Sequence, residues 1–407
     1  MGQELRQKKI TELSKAMSLK TAVAYCRIDD SFAAGEAAMK VVMKQLEGQS
    51  PNFLFLFATV GHDLTQLIQG IHFVAGDIPI CGCSGAGIIA NLGCDETPHS
   101  LALMGLHSKQ IHFHPFIVSG LSDSSEKVGK KIGEKIASIA TDEAENKLLF
   151  LFPDGLNINA DKLFKGIQQV VSYPIDFVGG TASNDFHLSE TYQFCNKEIL
   201  SDAVSGVLMS GKFDYEIGVS HGCKPIGNYR TITKCQDNII YEIDHQPALA
   251  LLKFFIGENR FSDILQVNLL GLGQYYEGRG YSEDIIARAI TGFDEEQNSI
   301  KLGTQIPVGS VVRFTRKDKN KVKQSTKTTV EQVVNNIQYP DEAAYFYFNC
   351  VGRGSYLFGD SDIDVQTILE VLGESKNLIG FFTLGEIAPV AGENYFHNYT
   401  GILVGIR

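Results

Sequence analysis

The chain of 407 residues contains no tryptophan, so a common ligand-stacking residue is missing. It also lacks any apolar run near the roughly 20 residues that span a bilayer, since FLFLFATV at 53–60 has only strand length. The start, MGQELRQKKI, has no apolar signal-peptide segment and carries Arg6 where N-myristoylation requires Ser or Thr. We therefore expect a cytoplasmic protein that does not bind membranes.

Positive charge is also scarce, because the net charge is -11. This excess of acidic residues argues against binding to a nucleic-acid backbone or an anionic membrane. One small basic cluster is expected to be a solvated loop, and it comprises Arg316, Lys317, Lys319, Lys321 and Lys323. Eight cysteines are too few for a dense disulfide framework in a chain of this length, so we expect reduced, buried thiols.

Three segments of the chain resemble one another, each with the order strand, helix, strand, glycine-rich turn, strand. Runs of Phe, Leu and Val bounded by turn residues indicate the strands, and apolar residues at i, i+3, i+4 and i+7 indicate the helices. The copies begin at FLFLFATVGHD (53–63), LLFLFPDGLN (148–157) and the fainter YFYFNCVGR (345–353). This order predicts crossover connections with parallel or mixed strand pairing.

The predicted fold class is α/β (mixed α+β), with repeated strand–helix–strand units, mixed sheets and two domains. Between copies two and three, residues 213–245 read as strands with a hairpin, and PALALLKFFIG at 247–257 reads as a helix. We place a domain boundary near residue 246. The predicted parts are an N-terminal helix at 1–24, a first domain at 25–246 and a second domain at 247–407.

The turn of the first copy, GCSGAGII at 82–89, matches three chemical motifs incompletely. A nucleophile elbow needs glycine where Ala86 stands, and a P-loop needs Lys and Ser or Thr after Gly87. A dinucleotide fingerprint needs an acidic residue about 20 positions later, which is missing. The favoured interpretation is an architectural turn whose backbone amides line a ligand pocket. The ligand-binding positions predicted at the first and second turns are Cys83, Ser84, Gly85, Gly180 and Thr181.

A thiolate-rich metal site is a weaker interpretation of the same region, with Cys81, Cys83, Cys94 and His99 as ligands. The C-x-C spacing is tight, and the other copies have no cysteines at matching places. Buried thiols are therefore favoured, and no metal ion is predicted.

Three histidines lie close to glycine turns: His187 after the second turn, His397 after the third and His221 at a strand end. Histidines near equivalent turns would converge on one pocket, where an imidazole can bind a metal or haem iron. A hydrogen-bonded structural histidine is the alternative for each.

Several segments resemble the FIST (F-box and intracellular signal transduction) family, in family order. Those similar to its N-terminal domain are GCSGAGII (82–89), LFPDGLN (151–157), FVGGTASND (177–185), TYQFCN (191–196) and HGCKPIG (221–227). Those similar to its C-terminal domain are YEIDHQPALALL (241–252), FNCVGRG (348–354) and GFFTLGEIAPVAGENYFHNYTG (380–401). The first turn departs from the family pattern, because Gly85 and Ile88 stand where Thr and Glu are typical.

The resemblance implies a non-enzymatic sensory protein of signal transduction that binds a small ligand. It is similar to the nitric-oxide-sensing haemoproteins of the family (NosP), which act on a sensor histidine kinase or a cyclic-di-GMP enzyme (a diguanylate cyclase or phosphodiesterase). Haem is then the expected cofactor, with His187, His221 or His397 as its axial ligand. No covalent attachment motif C-x-x-C-H is present.

Two alternatives stay open. In the first, the protein senses an amino acid or small metabolite without haem, with Arg353 and Glu386 as polar anchors or, structurally, as a salt-bridged turn. In the second, it is a hydrolase or transferase with Cys83 or Ser84 as nucleophile, which requires a base within about 3 Å.

Overall fold

The computed structural model describes residues 19–139, 146–184, 190–257, 269–275, 285–359, 362–373 and 377–407. Most of these residues belong to three similar units of strands and helices, and the rest form a β-barrel. The first unit consists of β1 (Lys20–Arg27), α1 (Ser31–Gln45), β2 (Phe53–Ala58), α2 (Leu64–Ala75), β3 (Ile80–Ser84), β4 (Ile88–Ala90), β5 (Gly93–Asp95) and β6 (Ser100–His107).

The second unit repeats this order with β7 (Ile111–Ser119), α3 (Leu121–Ala137), β8 (Asn146–Pro153), α4 (Ala160–Gln168), β9 (Asp176–Gly180), β10 (Gln193–Cys195), β11 (Glu198–Leu200) and β12 (Ala203–Gly211). The third unit begins with β13 (Tyr215–His221) and resumes only after the barrel. Its later elements are α6 (Lys319–Asn336), β21 (Ala344–Cys350), α7 (Ser355–Phe358), α8 (Asp362–Leu372), β22 (Asn377–Thr383), β23 (Glu386–Val390), β24 (Glu393–His397) and β25 (Thr400–Ile406).

The barrel is inserted into the third unit between β13 and α6. Its elements are β14 (Cys223–Gln236), β15 (Ile239–Ile243), β16 (Gln246–Pro247), α5 (Ala248–Ile256), β17 (Leu270–Tyr275), β18 (Ile285–Asp294), β19 (Ser299–Leu302) and β20 (Val311–Lys317). Six strands close in the order β14-β20-β17-β18-β19-β15, because β15 pairs back with β14. The barrel encloses an apolar core of its own.

Each unit forms a sheet in which the last strand lies between the first and second strands and pairs with both of them in antiparallel orientation. The second and third strands, which a helix connects, are parallel in every unit. The predicted repeat and its crossover pairing are therefore confirmed, as is the mixed α/β fold class.

The units exchange hairpins in a closed cycle. The hairpin β10–β11 of the second unit extends the first sheet, β23–β24 of the third unit extends the second sheet, and β4–β5 of the first unit extends the third sheet. Every sheet of the three units is thus completed by strands from another unit.

Phenylalanines at matching positions of the three units meet on the central axis. The rings of Phe55, Phe150 and Phe346 form a triangle with centroid separations of 4.9–5.1 Å. A second triangle of Phe57, Phe152 and Phe348 has separations of 5.3–6.4 Å. Tilted and edge-on rings at these distances attract one another beyond simple area burial. The inner faces of all three sheets therefore share one core.

The structure corrects the expectation for the basic cluster and locates the predicted domain limits within the fold. The basic cluster is no solvated loop, because Lys317 ends β20 with 8% of its surface exposed and Lys319 opens α6. Of the predicted N-terminal helix, residues 1–18 lie outside the described residues, and residues 20–24 belong to β1. The predicted boundary near 246 falls at β16, between two strands of the barrel.

Candidate functional site

The glycine-rich turns follow the third strand of each unit and hydrogen-bond to one another. Between the first and second turns, the Ser183 amide donates to the Ser84 carbonyl at 3.1 Å, and the Ser84 hydroxyl donates to the Ser183 carbonyl at 2.9 Å. Between the second and third turns, the Thr181 amide donates to the Gly385 carbonyl at 2.8 Å. The three related turns therefore form one connected cluster.

The predicted ligand-binding residues of the first two turns are buried in this cluster. Ser84 is 4% exposed, and its hydroxyl also accepts from the Tyr192 amide at 3.0 Å. Cys83 is fully buried, and burial raises its pKa well above the usual thiol value. Gly85 and Gly180 are likewise buried. These bonds within the protein suit an architectural turn, and ligand binding at these positions stays a prediction.

Arg353 lies in a buried network at the end of β21. Its Nε and Nη2 donate to Asp364 Oδ2 at 3.1 and 2.9 Å, and its Nη1 donates to the Ser220 carbonyl at 2.6 Å. Its Nη2 also donates to Thr326 Oγ1 at 2.7 Å. Burial disfavours the charge, but Asp364 and Tyr347 outweigh it, so the pKa of Arg353 is raised. A ligand anchored by Arg353 would have to displace one of these partners.

Glu386 is a fully buried carboxyl group at the third turn. Its Oε1 accepts from the Thr383 hydroxyl at 2.6 Å, and its Oε2 accepts from the Thr400 amide and hydroxyl at 3.1 and 2.6 Å. Burial raises the pKa of Glu386 to about 7, although these hydrogen bonds and Arg353 oppose the shift. The group can therefore hold or release a proton near neutral pH.

Lys317 lies where the barrel packs against the third unit, with its Nζ at Tyr399 and at the Gly352 carbonyl. It stands opposite Cys223 in the β14–β20 pair, and its Nζ lies 3.7 Å from the centroid of the Tyr399 ring. Cys223, Cys350 and Tyr399 pack in one apolar cluster with two alanines of β18. Burial lowers the pKa of Lys317, and Cys350, Cys223 and Glu386 partly offset this effect.

We call Lys317, Glu386, Cys223, Cys350 and Tyr399 the junction cluster. The backbone of Tyr399 has φ of +58°, which a bulky residue seldom adopts. This conformation directs the β24–β25 turn against the barrel, where Tyr399 Cε2 would lie 3.1 Å from a Cβ at Gly271. Burial and then Glu386 raise the pKa of Cys350 to about 12, so its thiol stays protonated. The cluster thus places an amine, a carboxyl and two thiols at one junction.

Two of the predicted haem-binding histidines lie close to this cluster. His221 and His397 are fully buried, and burial lowers the pKa of each to about 3. The Cys223 amide donates to His221 Nδ1 at 3.2 Å, and His397 Nε2 lies 3.1 Å from the Ala388 carbonyl. The third, His187, lies outside the described residues.

These imidazoles do not fit a haem in the conformation described. An axial ligand must present a ring nitrogen to iron beside an open slot for the macrocycle. Both rings are instead enclosed by protein atoms with no exposed surface, and each has a nitrogen beside a backbone group. Haem binding stays a prediction that would require the junction to open.

A metal ion has no evident site in the described part of the chain, where no three His, Cys, Asp or Glu side chains are grouped to hold one. Cys81 is fully buried, and burial raises its pKa well above the usual thiol value. Among the residues that the structure describes, no helix is long and apolar enough to cross a bilayer.

The chain belongs to the FIST family. Residues 52–246 match the FIST N domain, and residues 248–389 match the FIST C domain. The predicted family is therefore confirmed.

Its curated relatives are uncharacterized proteins. MT0656 of Mycobacterium tuberculosis is 26% identical over 379 residues, covering 90% of this chain and 94% of that protein. Mb0898c of Mycobacterium bovis is 26% identical over 394 residues, covering 94% and 97%. MJ1623 of Methanocaldococcus jannaschii is 24% identical over 356 residues, covering 80% and 64%. A crystal structure of cyanuric acid hydrolase from A. caulinodans aligns with a TM-score of 0.27 at 8% identity, over 48% of this chain and 72% of that one, which supports no argument.

Sequence reasoning missed four members of the junction cluster, although the motifs that contain three of them were recognised. Cys223 lies in HGCKPIG, Cys350 in FNCVGRG and Tyr399 in GFFTLGEIAPVAGENYFHNYTG. Lys317 was interpreted as part of a solvated basic loop, because its neighbours in the sequence are charged, whereas the fold packs it against Tyr399 and Gly352 of the third unit. Glu386 is the one predicted site residue that the structure places in the cluster.

Proposed function

We propose that this FIST protein is a non-enzymatic sensory module that binds a small metabolite at the junction cluster. The observation that carries the proposal is the burial of Lys317 and Glu386, two ionisable side chains, where the barrel meets the third unit. Buried charges are costly, and groups with perturbed pKa values concentrate at functional sites. A ligand with its own polar groups would offset that cost.

The position of the junction cluster allows ligand binding to change how the barrel sits against the third unit. The barrel joins the third unit through the connections after β13 and before α6. Cys223 and Lys317 stand at the barrel ends of these two connections, paired across the β14–β20 ladder. A ligand that prefers one placement of the barrel against the third unit would shift the balance toward it, and a partner protein would read that placement. A sensor histidine kinase or a cyclic-di-GMP enzyme, which the family resemblance implies, is the partner class that we propose.

A thermal-shift screen of small metabolites tests the proposal, because a ligand that binds only the folded state raises the melting temperature. The wild type is compared with Lys317→Met and Glu386→Gln, and with Lys323→Met as the matched control on an exposed lysine of α6. We expect a ligand that stabilises the wild type and Lys323→Met but stabilises the two cluster variants less. Equal stabilisation of all four proteins would contradict a site at the junction.

The haem version is tested separately by absorbance spectra of the purified protein, before and after addition of haem and nitric oxide. A Soret band that shifts with nitric oxide, and that His221→Ala or His397→Ala removes, would support it. Absence of the band after reconstitution would contradict haem binding and leave the metabolite proposal unaffected.

A further inference from the structure

Two buried cysteines stand directly opposite each other where the exchanged hairpin of the second unit meets the first sheet. Cys195 of β10 pairs with Cys81 of β3 in the antiparallel register. Cys81 is fully buried, Cys195 is 5% exposed, and both are free thiols. The two residues come from different units, 114 positions apart in the sequence.

The hydrogen bonds of this ladder show which kind of pair the cysteines form. At the neighbouring position, the Asn196 amide donates to the Ile80 carbonyl at 2.8 Å. Hydrogen-bonded and non-hydrogen-bonded pairs alternate along an antiparallel ladder. Because the pair next to them is hydrogen-bonded, Cys81 and Cys195 form a non-hydrogen-bonded pair.

This kind of pair places two side chains close enough for a covalent bond. Non-hydrogen-bonded partners have Cα atoms about 4.5 Å apart and side chains on one face of the sheet. A disulfide joins cysteines whose Cα atoms are about 4.4–6.8 Å apart. Burial raises the pKa of Cys81 well above the usual thiol value, and the nearby Cys195 and Cys83 add to this shift. The backbone therefore already holds the two thiols within bonding range.

An open groove borders the pair on the side of Cys195. In the β10–β11 hairpin Cys195 stands opposite Glu198, so these two side chains lie on one face. Glu198 and Lys135 both line a groove of about 470 Å³ between the hairpin, β7 and α3. Burial and then Glu198 raise the pKa of Cys195 to about 12, whereas Lys135 opposes the shift. A small reagent in the groove would therefore meet Cys195 before Cys81, which has no exposed surface.

We propose that Cys81 and Cys195 are a redox modification site, where a small external disulfide oxidises the two thiols to a cross-strand disulfide. This inference is independent of any ligand at the junction cluster. Cys195 loses its proton, and its thiolate attacks one sulfur of the reagent, which releases the first thiolate and leaves a mixed disulfide. The Cys81 thiolate then attacks the Cys195 sulfur and releases the second thiolate. The two cysteine protons pass to the released thiolates, so the reagent gains the two electrons that the protein loses.

The disulfide would fasten the hairpin exchange covalently. It would join β10 of the second unit to β3 of the first and close a loop of the chain between residues 81 and 195. A cross-link over a long loop restricts the unfolded chain, so the oxidised protein should be the more stable form. Because the thiolate is the reacting species and both thiols are protonated at neutral pH, we expect slow oxidation that accelerates when the hairpin opens locally.

Oxidation of the full-length protein with glutathione disulfide tests the inference. The protein is incubated at about pH 8.5, where ordinary thiols begin to ionise, at several urea concentrations below the unfolding transition. Remaining thiols are then blocked with N-ethylmaleimide. Peptic digestion at acid pH, where disulfide exchange is slow, and tandem mass spectrometry locate the bonds. We expect two peptides joined through Cys81 and Cys195.

Cys83 offers a matched control, because it lies two positions further along β3 and stands opposite Gln193. Cys83→Ala should retain the link, whereas Cys81→Ala and Cys195→Ala should lose it. Oxidation should raise the melting temperature of the wild type and of Cys83→Ala by about 3–10 °C, and dithiothreitol should reverse the rise.

The wild-type peptide map decides the matter even if a variant does not fold. A bond between Cys81 and Cys83, a mixed disulfide on Cys195 that never resolves, or no bond below the unfolding transition would each overturn the proposed site.

Discussion

The first two units and the third share one strand order but differ where their helices cross. In the first unit, a Cβ at Gly35 would lie 2.2 Å from the Leu67 carbonyl oxygen, so α1 and α2 touch backbone to backbone. Gly129 and Gly166 bring α3 and α4 together in the same way. The third unit instead joins α6 to α8 through Asp364, which accepts from the Thr326 hydroxyl at 2.6 Å.

This difference shows which part of the repeat has been specialised. Close helix packing in the first two units needs only small residues, so these helix crossings do not require buried charge. The third unit nevertheless buries Arg353, Asp364 and Glu386, and it alone is interrupted by the barrel. Local rules of packing are broken mainly where function demands it. The asymmetry of the repeat therefore points to the same junction as the proposed site.

The largest expected effect comes from breaking the charged crossing of the third unit. Asp364→Ala leaves the Arg353 guanidinium buried without its carboxylate, so we expect a loss of about 3–5 kcal/mol in the free energy of unfolding. Urea denaturation followed by circular dichroism measures it. Glu370→Ala, at an exposed position of α8, is the control and should change stability by less than about 0.5 kcal/mol. Equal effects of the two variants would contradict a structural role for the buried pair.

The second effect concerns pH. The pKa of Glu386 rises from 4.5 in the unfolded chain to about 7 in the fold, so the folded state binds more protons between these values. Its contribution to stability is fully present below pH 4.5 and is lost as pH rises through 7. Glu386→Gln should remove this slope, which amounts to about 3 kcal/mol for a full shift of this size.

The difference between wild type and Glu386→Gln isolates that slope, because histidines act in the opposite direction. His221 and His397 have pKa values lowered to about 3, so their contributions are lost as pH falls from 6.5 toward 3. Denaturant titrations at several pH values give the difference curve. A curve that is flat between pH 4.5 and 7 would contradict the raised pKa of Glu386.

A third effect tests the glycine crossing of the first unit. Gly35→Ala places a methyl group against the Leu67 carbonyl, so α1 and α2 must separate, with an expected loss of about 1–3 kcal/mol. Gly292→Ala is the control, since the nearest atom to its Cβ lies 3.9 Å away. Thermal denaturation of both variants measures the contrast, and a neutral Gly35→Ala would show that the helices do not cross this closely.

The smallest expected effect tests whether the three units contribute equally to the stability of the core on the central axis. Phe55→Leu, Phe150→Leu and Phe346→Leu each shorten one corner of the same triangle. We expect each to lower the free energy of unfolding by about 1–2 kcal/mol, with the three values within about 0.5 kcal/mol of one another. A much larger loss at Phe346 would mean that the third unit differs in its core as well as at its crossing.

The sequence patterns predicted the part of each unit that is most apolar. β2 is buried along its whole length and β8 over its last six residues, so both appear in the sequence as short runs of Phe and Leu. The first strand and helix of each unit were not recognised in the repeat because they mix polar and apolar residues. In β7, for example, buried and exposed positions alternate irregularly.

The rest depended on contacts between distant residues. The hairpin exchange pairs Phe194 with Gly82 and Ile89 with Gly380, and no local pattern encodes such partners. The burial of Lys317 likewise depends on its pairing with Cys223, 94 positions away. Asp364 reads locally as an ordinary acidic residue in the first turn of a helix, and only the fold reveals Arg353 as its partner.

The hairpin cycle also constrains how the protein is made. The first sheet is complete only once β10–β11 has been synthesised, and the second only once β23–β24 has been synthesised. The third sheet needs β25 (Thr400–Ile406), which pairs between β13 and β21. During synthesis, therefore, no sheet of the first unit is complete when that unit leaves the ribosome, and its outer strand edge stays open. The cycle of sheets can therefore close only after residues 400–406 have been added.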